Sequence, residues 1–171
     1  MAETAQQYTE RLLSNVKGEN PVKVQGATAG KLRRLVKGAS KKALTTPPAP
    51  GKWSVAQIVA HLADSEVVHA YRLRMILSQN GTEIQAYDQD SWAAAVKYEN
   101  VPVESSIDLF ETLRRSNLAL MKTVTPAQRK QYGMHSERGK ETVDHLERLY
   151  AGHDVNHLRQ IEAIVRGRAG K

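Results

Sequence analysis

Apolar side chains return every three or four residues along most of this chain, the period of a helix with one buried face. Tyr8, Leu12, Leu13 and Val16 mark a first segment over about residues 4–16, interrupted by Gly18-Glu19-Asn20-Pro21. A second covers about 22–36, with Leu32, Leu35 and Val36 on one side. Gly26 and Gly30 weaken it, and the two segments can be read as one broken helix. Residues 41–51, containing Pro47, Pro48 and Pro50, read as a loop. Ser54 and Gln57 form a capping-box pair that starts a helix reaching about Ser78, ahead of Asn80-Gly81. Its stripe is Val55, Ile58, Val59, Leu62, Leu73, Ile76 and Leu77. Glu66 and His69 fall on that stripe, and His61 lies at its edge, roughly 100° from the centre. Residues 81–102 are irregular, with a short helical turn around 92–98. Ile107, Phe110, Leu113 and Leu120 define a helix over about 103–123. Thr125-Pro126 reads as an N-cap followed by proline at the first helical position, and 132–140 as a polar loop. A last helix spans about 141–166, and 167–171 are expected to fray. No segment alternates with period 2. The pattern predicts an all-α chain, one domain over residues 1–171, built as a four-helix bundle with long connecting loops.

The most informative stretch is Ala151-Gly152-His153-Asp154-Val155-Asn156-His157-Leu158-Arg159-Gln160-Ile161. Residues four apart stack on one helix face, so His153 and His157 can bind one metal ion together. Leu146, Leu149, Tyr150, Ile161 and Ile164 share their stripe, so both rings face the core or a cleft in it. The plain alternative is two core histidines with hydrogen-bond partners, and the spacing alone leaves both readings open.

A third ligand would favour metal. His61 lies about 10 Å into its helix, and the midpoint of the pair lies about 18 Å from the end of its own helix and about 21 Å from the start. Antiparallel packing therefore matches them better. His69 faces the core more squarely and is a rival ligand, as is Glu66. His135, in a loop, can approach from above. His145 lies about 80° around the helix from His153, and reads as exposed or capping a loop.

Composition narrows the chemistry. The chain has 171 residues, 40% hydrophobic and 25% charged, which suits a globular fold. It has no cysteine, so a metal must be held by His, Asp, Glu or water, and any thiol must come from a small molecule. There is no apolar run long enough to span a membrane, and the N-terminus has no signal-like core, so a cytoplasmic location is expected. The net charge is +7, but the basic residues are scattered and not interleaved with aromatics. They read as solvated helix faces rather than a nucleic-acid footprint.

Three blocks carry a resemblance: Trp53-Ser54-x-x-Gln57-x-x-x-His61-Leu62-x-Asp64-x-Glu66; His135-x-Glu137-x-Gly139-x-x-Thr142; and Gly152-His153-x-x-x-His157-x-x-Gln160-Ile161. In this order they resemble the DinB/YfiT-like superfamily over about residues 50–165. The resemblance implies a four-helix bundle holding a divalent metal of the nickel or zinc type on three histidines, one from the second main helix and two from the last. Carried across, these are His61, His153 and His157. Despite the name, the family is not the DNA polymerase.

The resemblance also implies a choice of activities: thiol S-transfer with a low-molecular-weight thiol such as bacillithiol or mycothiol, isomerisation dependent on such a thiol, or metal-dependent hydrolysis. The expectation is a metal-dependent thiol S-transferase or hydrolase acting on a small molecule. The alternatives are a non-catalytic metal- or thiol-binding stress protein and, further off, a basic nucleic-acid binder. Glu66 is the candidate general base or partner of a ligating imidazole, against the weightier plain reading of a salt bridge to an arginine within the bundle. Asp64 points to the opposite face. Arg138 is a candidate to hold an acidic thiol cofactor, with a plain surface role outweighing it, and Trp53 is a packing anchor. Bundles of this kind often pair through helix faces, so a homodimer is a further expectation.

Overall fold

A computed structural model describes residues 3–169, and of Arg168 and Ala169 only the backbone. Seven helices are described: α1 (Ala5–Ser14), α2 (Pro21–Val36), α3 (Lys41–Thr45), α4 (Val55–Ser78), α5 (Gln89–Val96), α6 (Val103–Met121) and α7 (Val143–Ala169). The bundle is formed by α2, α4, α6 and α7. In it α2 packs on α6 and α7, and α4 packs on the same two. Thus α1 and α2 are separate elements rather than one broken helix. Gly18, at φ 81°, turns the chain, and Asn20 and Pro21 restart it as N-cap and N1. Among the described residues no helix is long and apolar enough to cross a membrane.

Local sequence explains most of the boundaries. In the capping box of α4, the Gln57 N–H donates to Ser54 Oγ (3.3 Å) and the Ser54 N–H donates to Gln57 Oε1 (2.9 Å). Gly81, at φ 82°, lets the chain leave α4. Thr125 and Gln128 form a similar reciprocal pair, opening a 3-10 turn at Gln128–Lys130. The segment expected as a loop over 41–51 begins with the single turn of α3, capped by Ser40. The turn expected around 92–98 is instead α5, with Asp88 as its cap, followed by a 3-10 turn at Tyr98–Asn100. α7 runs through Ala169, past its expected end, and the rest of the tail expected to fray lies outside the described residues.

A small sheet departs from the all-α expectation. β1 (Thr82–Ile84) pairs in parallel with β2 (Tyr132–His135), which pairs antiparallel with β3 (Gly139–Thr142). Strands this short show almost no alternation in sequence; β2 and β3 form a local hairpin, and β1 joins it from some fifty residues away. The alternation exists once they are paired: Thr82, Ile84, Gly133 and His135 point inward, and Glu83 and Met134 point out. His135 is thereby fixed at the inner end of β2.

The apolar core is in two parts. One holds Leu32, Val55, Ile58, Leu62, Ile107, Phe110 and Ile161. The other holds Leu73, Ile76, Met121, Val143, Leu146 and Tyr150. Between them α4 contributes Glu66 and His69, α6 contributes Arg114 and Asn117, and α7 contributes His153 and Asp154, all buried. The bundle thus carries a polar layer at mid-height.

Helix α1 lies against α7 and outside the bundle. Its close approach depends on Gly152, where a Cβ would drive into the carbonyl of Leu12. Asn15 Nδ2 donates to the Gly152 carbonyl (3.2 Å), and Arg11 and Arg159 tie the two helices through Asn156 and Asn15 (both 2.7 Å). Gly152→Ala is therefore expected to lift α1 off α7 and to cost about 1–3 kcal/mol, as overpacking does. Limited proteolysis cutting within residues 5–14, together with a lowered melting temperature, would show it; unchanged protection of α1 would count against this packing.

Candidate metal centre

His61 comes from the second turn of α4, and His153 and His157 from successive turns of α7. Their Nε2 atoms converge: His61 to His153 is 3.1 Å, and His153 to His157 is 3.1 Å. All three rings are buried, at 1%, 7% and 9% exposure. Burial pushes the His61 imidazole down to about 3 and the His157 imidazole to about 4, and His153 well below its ordinary range. The rings are consequently neutral at neutral pH, as ligation requires.

The arrangement suits a divalent ion. With metal–nitrogen bonds of about 2.0–2.1 Å, adjacent ligand nitrogens lie about 2.9 Å apart at right angles and about 3.3 Å apart in a tetrahedron. The observed spacing falls between the two. His61, His153 and His157 form a three-ligand cluster that could hold a metal ion. His157 is oriented by its Nδ1, which lies 3.0 Å from Gln160 Oε1, an arrangement typical of ligating imidazoles. Trp53 packs on His61 (ring centroids 5.1 Å) and is wedged there by Tyr98, whose hydroxyl donates to Asp64 Oδ2 (2.6 Å).

Two of the three histidines, His61 and His153, line a cavity of about 380 Å³. It lies off the bundle axis: its walls come from α1, α4, α7 and the segments carrying Tyr87 and His135, with nothing from α2 or α6. This explains the choice between two rival histidines. His69 faces the bundle axis and His61 the edge, and the cavity is at the edge.

Glu66 is fully buried, accepts from Arg114 (2.8 Å) and Asn117 (2.8 Å), and does not line the cavity. Despite its burial, Arg114 and His69 hold its carboxyl well below the usual range. The salt bridge within the bundle is what the structure displays, and Glu66 is not placed to take a proton from a ligand in the cavity.

His69 lies between Glu147 (3.2 Å) and Glu66 (3.6 Å), stacks on Tyr150 (3.9 Å) and also lines no part of the cavity. His135 is buried and does line it. Arg138 lines it too, but its guanidinium is held by Glu141 (2.6 and 3.1 Å). His145 is partly exposed, 3.9 Å from Glu141, and remote from the cluster.

Several residues escaped the sequence reading. Arg114 joins Asp154 and Glu66, and Thr28 adds a bond to Asp154 (2.8 Å). Gln25 donates to Glu147. These contacts link helices far apart in sequence and leave no local signal. Arg72 had one: it lies eleven residues after His61, three helical turns on, within about 20° of the same face.

The polar layer has a pH signature. Burial opposes charge on His69, but Glu147 and Glu66 outweigh it and raise the imidazole from 6.5 to about 9. A raised folded value gives stability that is complete below pH 6.5 and is lost as pH climbs through about 9. In metal-free protein, denaturant unfolding should show a loss of about 1–3 kcal/mol over that window. His69→Gln should flatten the profile, and a flat wild-type profile would contradict the charged state.

Comparison with known proteins gives the family. The DinB superfamily model matches residues 26–161. Relatives named "putative metal-dependent hydrolase" include one from Oceanobacillus iheyensis, 29% identical over 133 residues (78% of this chain, 77% of that one). Another, from Geobacillus kaustophilus, is 30% identical over 134 residues (78% and 75%). YfiT of Bacillus subtilis, which bears the same description, is 29% identical over 147 residues (85% and 82%). The solved structure of YfiT, described as having an unusual four-helix bundle topology, superposes with a TM-score of 0.82 at 24% identity, over 99% of this chain and 91% of that one. The fold is therefore that of YfiT, and the chain belongs to the DinB superfamily.

Proposed function

We propose that this protein is a metal-dependent enzyme acting on a small molecule, with His61, His153 and His157 as its divalent-metal ligands. The observation that carries this reading is the convergence of three buried imidazoles, two of which, His61 and His153, line a cavity. Hydrolysis is the first reading, in keeping with what the relatives are named for. Transfer to a low-molecular-weight thiol is the second, and the absence of cysteine from the chain means the thiol must be a co-substrate. A nickel or zinc ion suits three imidazoles equally well.

A divalent cation held there supplies Lewis acidity, which makes a water or a thiol nucleophilic near neutral pH. The rest falls to the chain. Trp53 covers His61 and keeps solvent from its ring, and Gln160 sets the orientation of His157. Tyr8 and Tyr150 line the cavity as protonated phenols, because burial raises both above their usual range, Tyr8 to about 12. Their hydroxyls can donate to negative charge developing on a substrate.

Purified protein should carry about one divalent ion per chain by elemental analysis, and His153→Ala should lose it. Metal retained in the triple alanine variant of residues 61, 153 and 157 would overturn the assignment. Turnover of ester or amide probes by metal alone would favour hydrolysis. Loss of an electrophile only when metal and thiol are both present would favour S-transfer, and metal binding without either would leave a non-catalytic metal protein.

A further inference from the structure

We infer that Arg72, with His135 beside it, is a binding site for an acidic group, a carboxylate or phosphate, on the small molecule that occupies the cavity. As a statement about the substrate this rests on the proposed function; as an anion site it stands independently.

The first observation is charge without a counter-charge. Arg72 is 5% exposed and lines the cavity. Among the described residues it forms no ion pair, whereas the other cavity arginine, Arg138, is held by Glu141. Glu3, at the rim, is engaged by Arg11, and Glu137 is exposed at the mouth. A guanidinium taken out of water without an anion is unfavourable, and its planar fork matches a carboxylate or phosphate in two-point contact.

The second observation is a mismatch of donors. Arg72 Nη2 donates to the Gln85 carbonyl (2.8 Å) and is directed at His135 Nε2 (3.2 Å). His135 Nδ1 already accepts from the Glu137 N–H (3.2 Å). A neutral imidazole has only one bare nitrogen and cannot accept from both neighbours; in the tautomer that accepts the Glu137 N–H at Nδ1, the proton is on Nε2 and faces Arg72. Two donors then confront each other with no acceptor between them. An oxygen within reach of both satisfies them together.

The third is position. Arg72 lies on the His61 face of α4, about 16 Å further along the axis, and helical side chains lean back toward the N-terminus, here toward His61. A ligand with a reacting head on the histidine cluster and an acidic tail on Arg72 spans one continuous cavity.

The test is calorimetric titration of the protein as purified and after chelator treatment, using glutarate, propyl phosphate and uncharged glutaramide. Wild type should bind at least one of the two anions saturably in both forms and glutaramide in neither, and the preferred anion identifies the acidic group. Arg72→Met should weaken anion binding about tenfold or more, with Arg72→Lys intermediate and metal content unchanged in both. His153→Ala should lose metal yet keep anion binding, which separates this site from the metal reading. Equal binding of acid and amide, binding of neither anion, or wild-type anion affinity in Arg72→Met overturns the inference. Should Arg72→Met fail to fold by circular dichroism, the acid-against-amide comparison on wild type decides.

Discussion

The buried guanidinium of Arg114 is the tie on which the geometry of this bundle depends. It comes from α6 and reaches Glu66 on α4 and Asp154 on α7, so one cation joins three helices at mid-height. Each carboxylate has a further partner, Asn117 for Glu66 and Thr28 for Asp154, and the latter brings in α2. Buried charges cost heavily when a partner is missing, so the layer tolerates little sliding of one helix against another. Asp154 is the residue after His153, and Glu66 lies five residues beyond His61. The same bonds that set the helix register therefore set the heights of two of the three converging imidazoles.

Two polar systems lie next to each other and do opposite things. On the bundle axis, Glu66, His69, Glu147, Arg114 and Asp154 are buried and pair acids with bases. Off the axis, His61, His153 and His157 form no ion pair among the described residues, and burial keeps them neutral. Tyr150 lies between the two, stacked on His69 and 6.4 Å from His153. The axial system is held together by ion pairs across helices and fixes position. The lateral one leaves ligand nitrogens free to take up an ion.

The cavity owes its walls to elements outside the bundle. α1 closes one side because Gly152 lets two helix backbones approach, and the short sheet brings His135 over another. Neither element contributes much to the two apolar clusters. Evolutionary change in such peripheral segments can reshape the substrate space without disturbing the layer beneath, which is how one bundle can serve several chemistries.

The helices were legible from the chain because their causes are local: apolar residues at helical period, the Ser54–Gln57 box, the break at Gly18 and Pro21. The pair His153 and His157 was legible for the same reason, since a spacing of four fixes their common face. His61 was named by family resemblance, not by periodicity, which favoured His69. Only packing decided between these two, because the answer depends on where α1 and the sheet enclose space beside α4. The sheet was invisible because strands of three and four residues carry almost no periodic signal and β1 finds its partner some fifty residues away, and Arg72 carries no sign in sequence that it lacks an acid. The sequence by itself determined the helices and the histidine pair; tertiary structure decided which polar residues are satisfied by one another and which remain open to a ligand, since that is a property of neighbours the chain brings together only on folding.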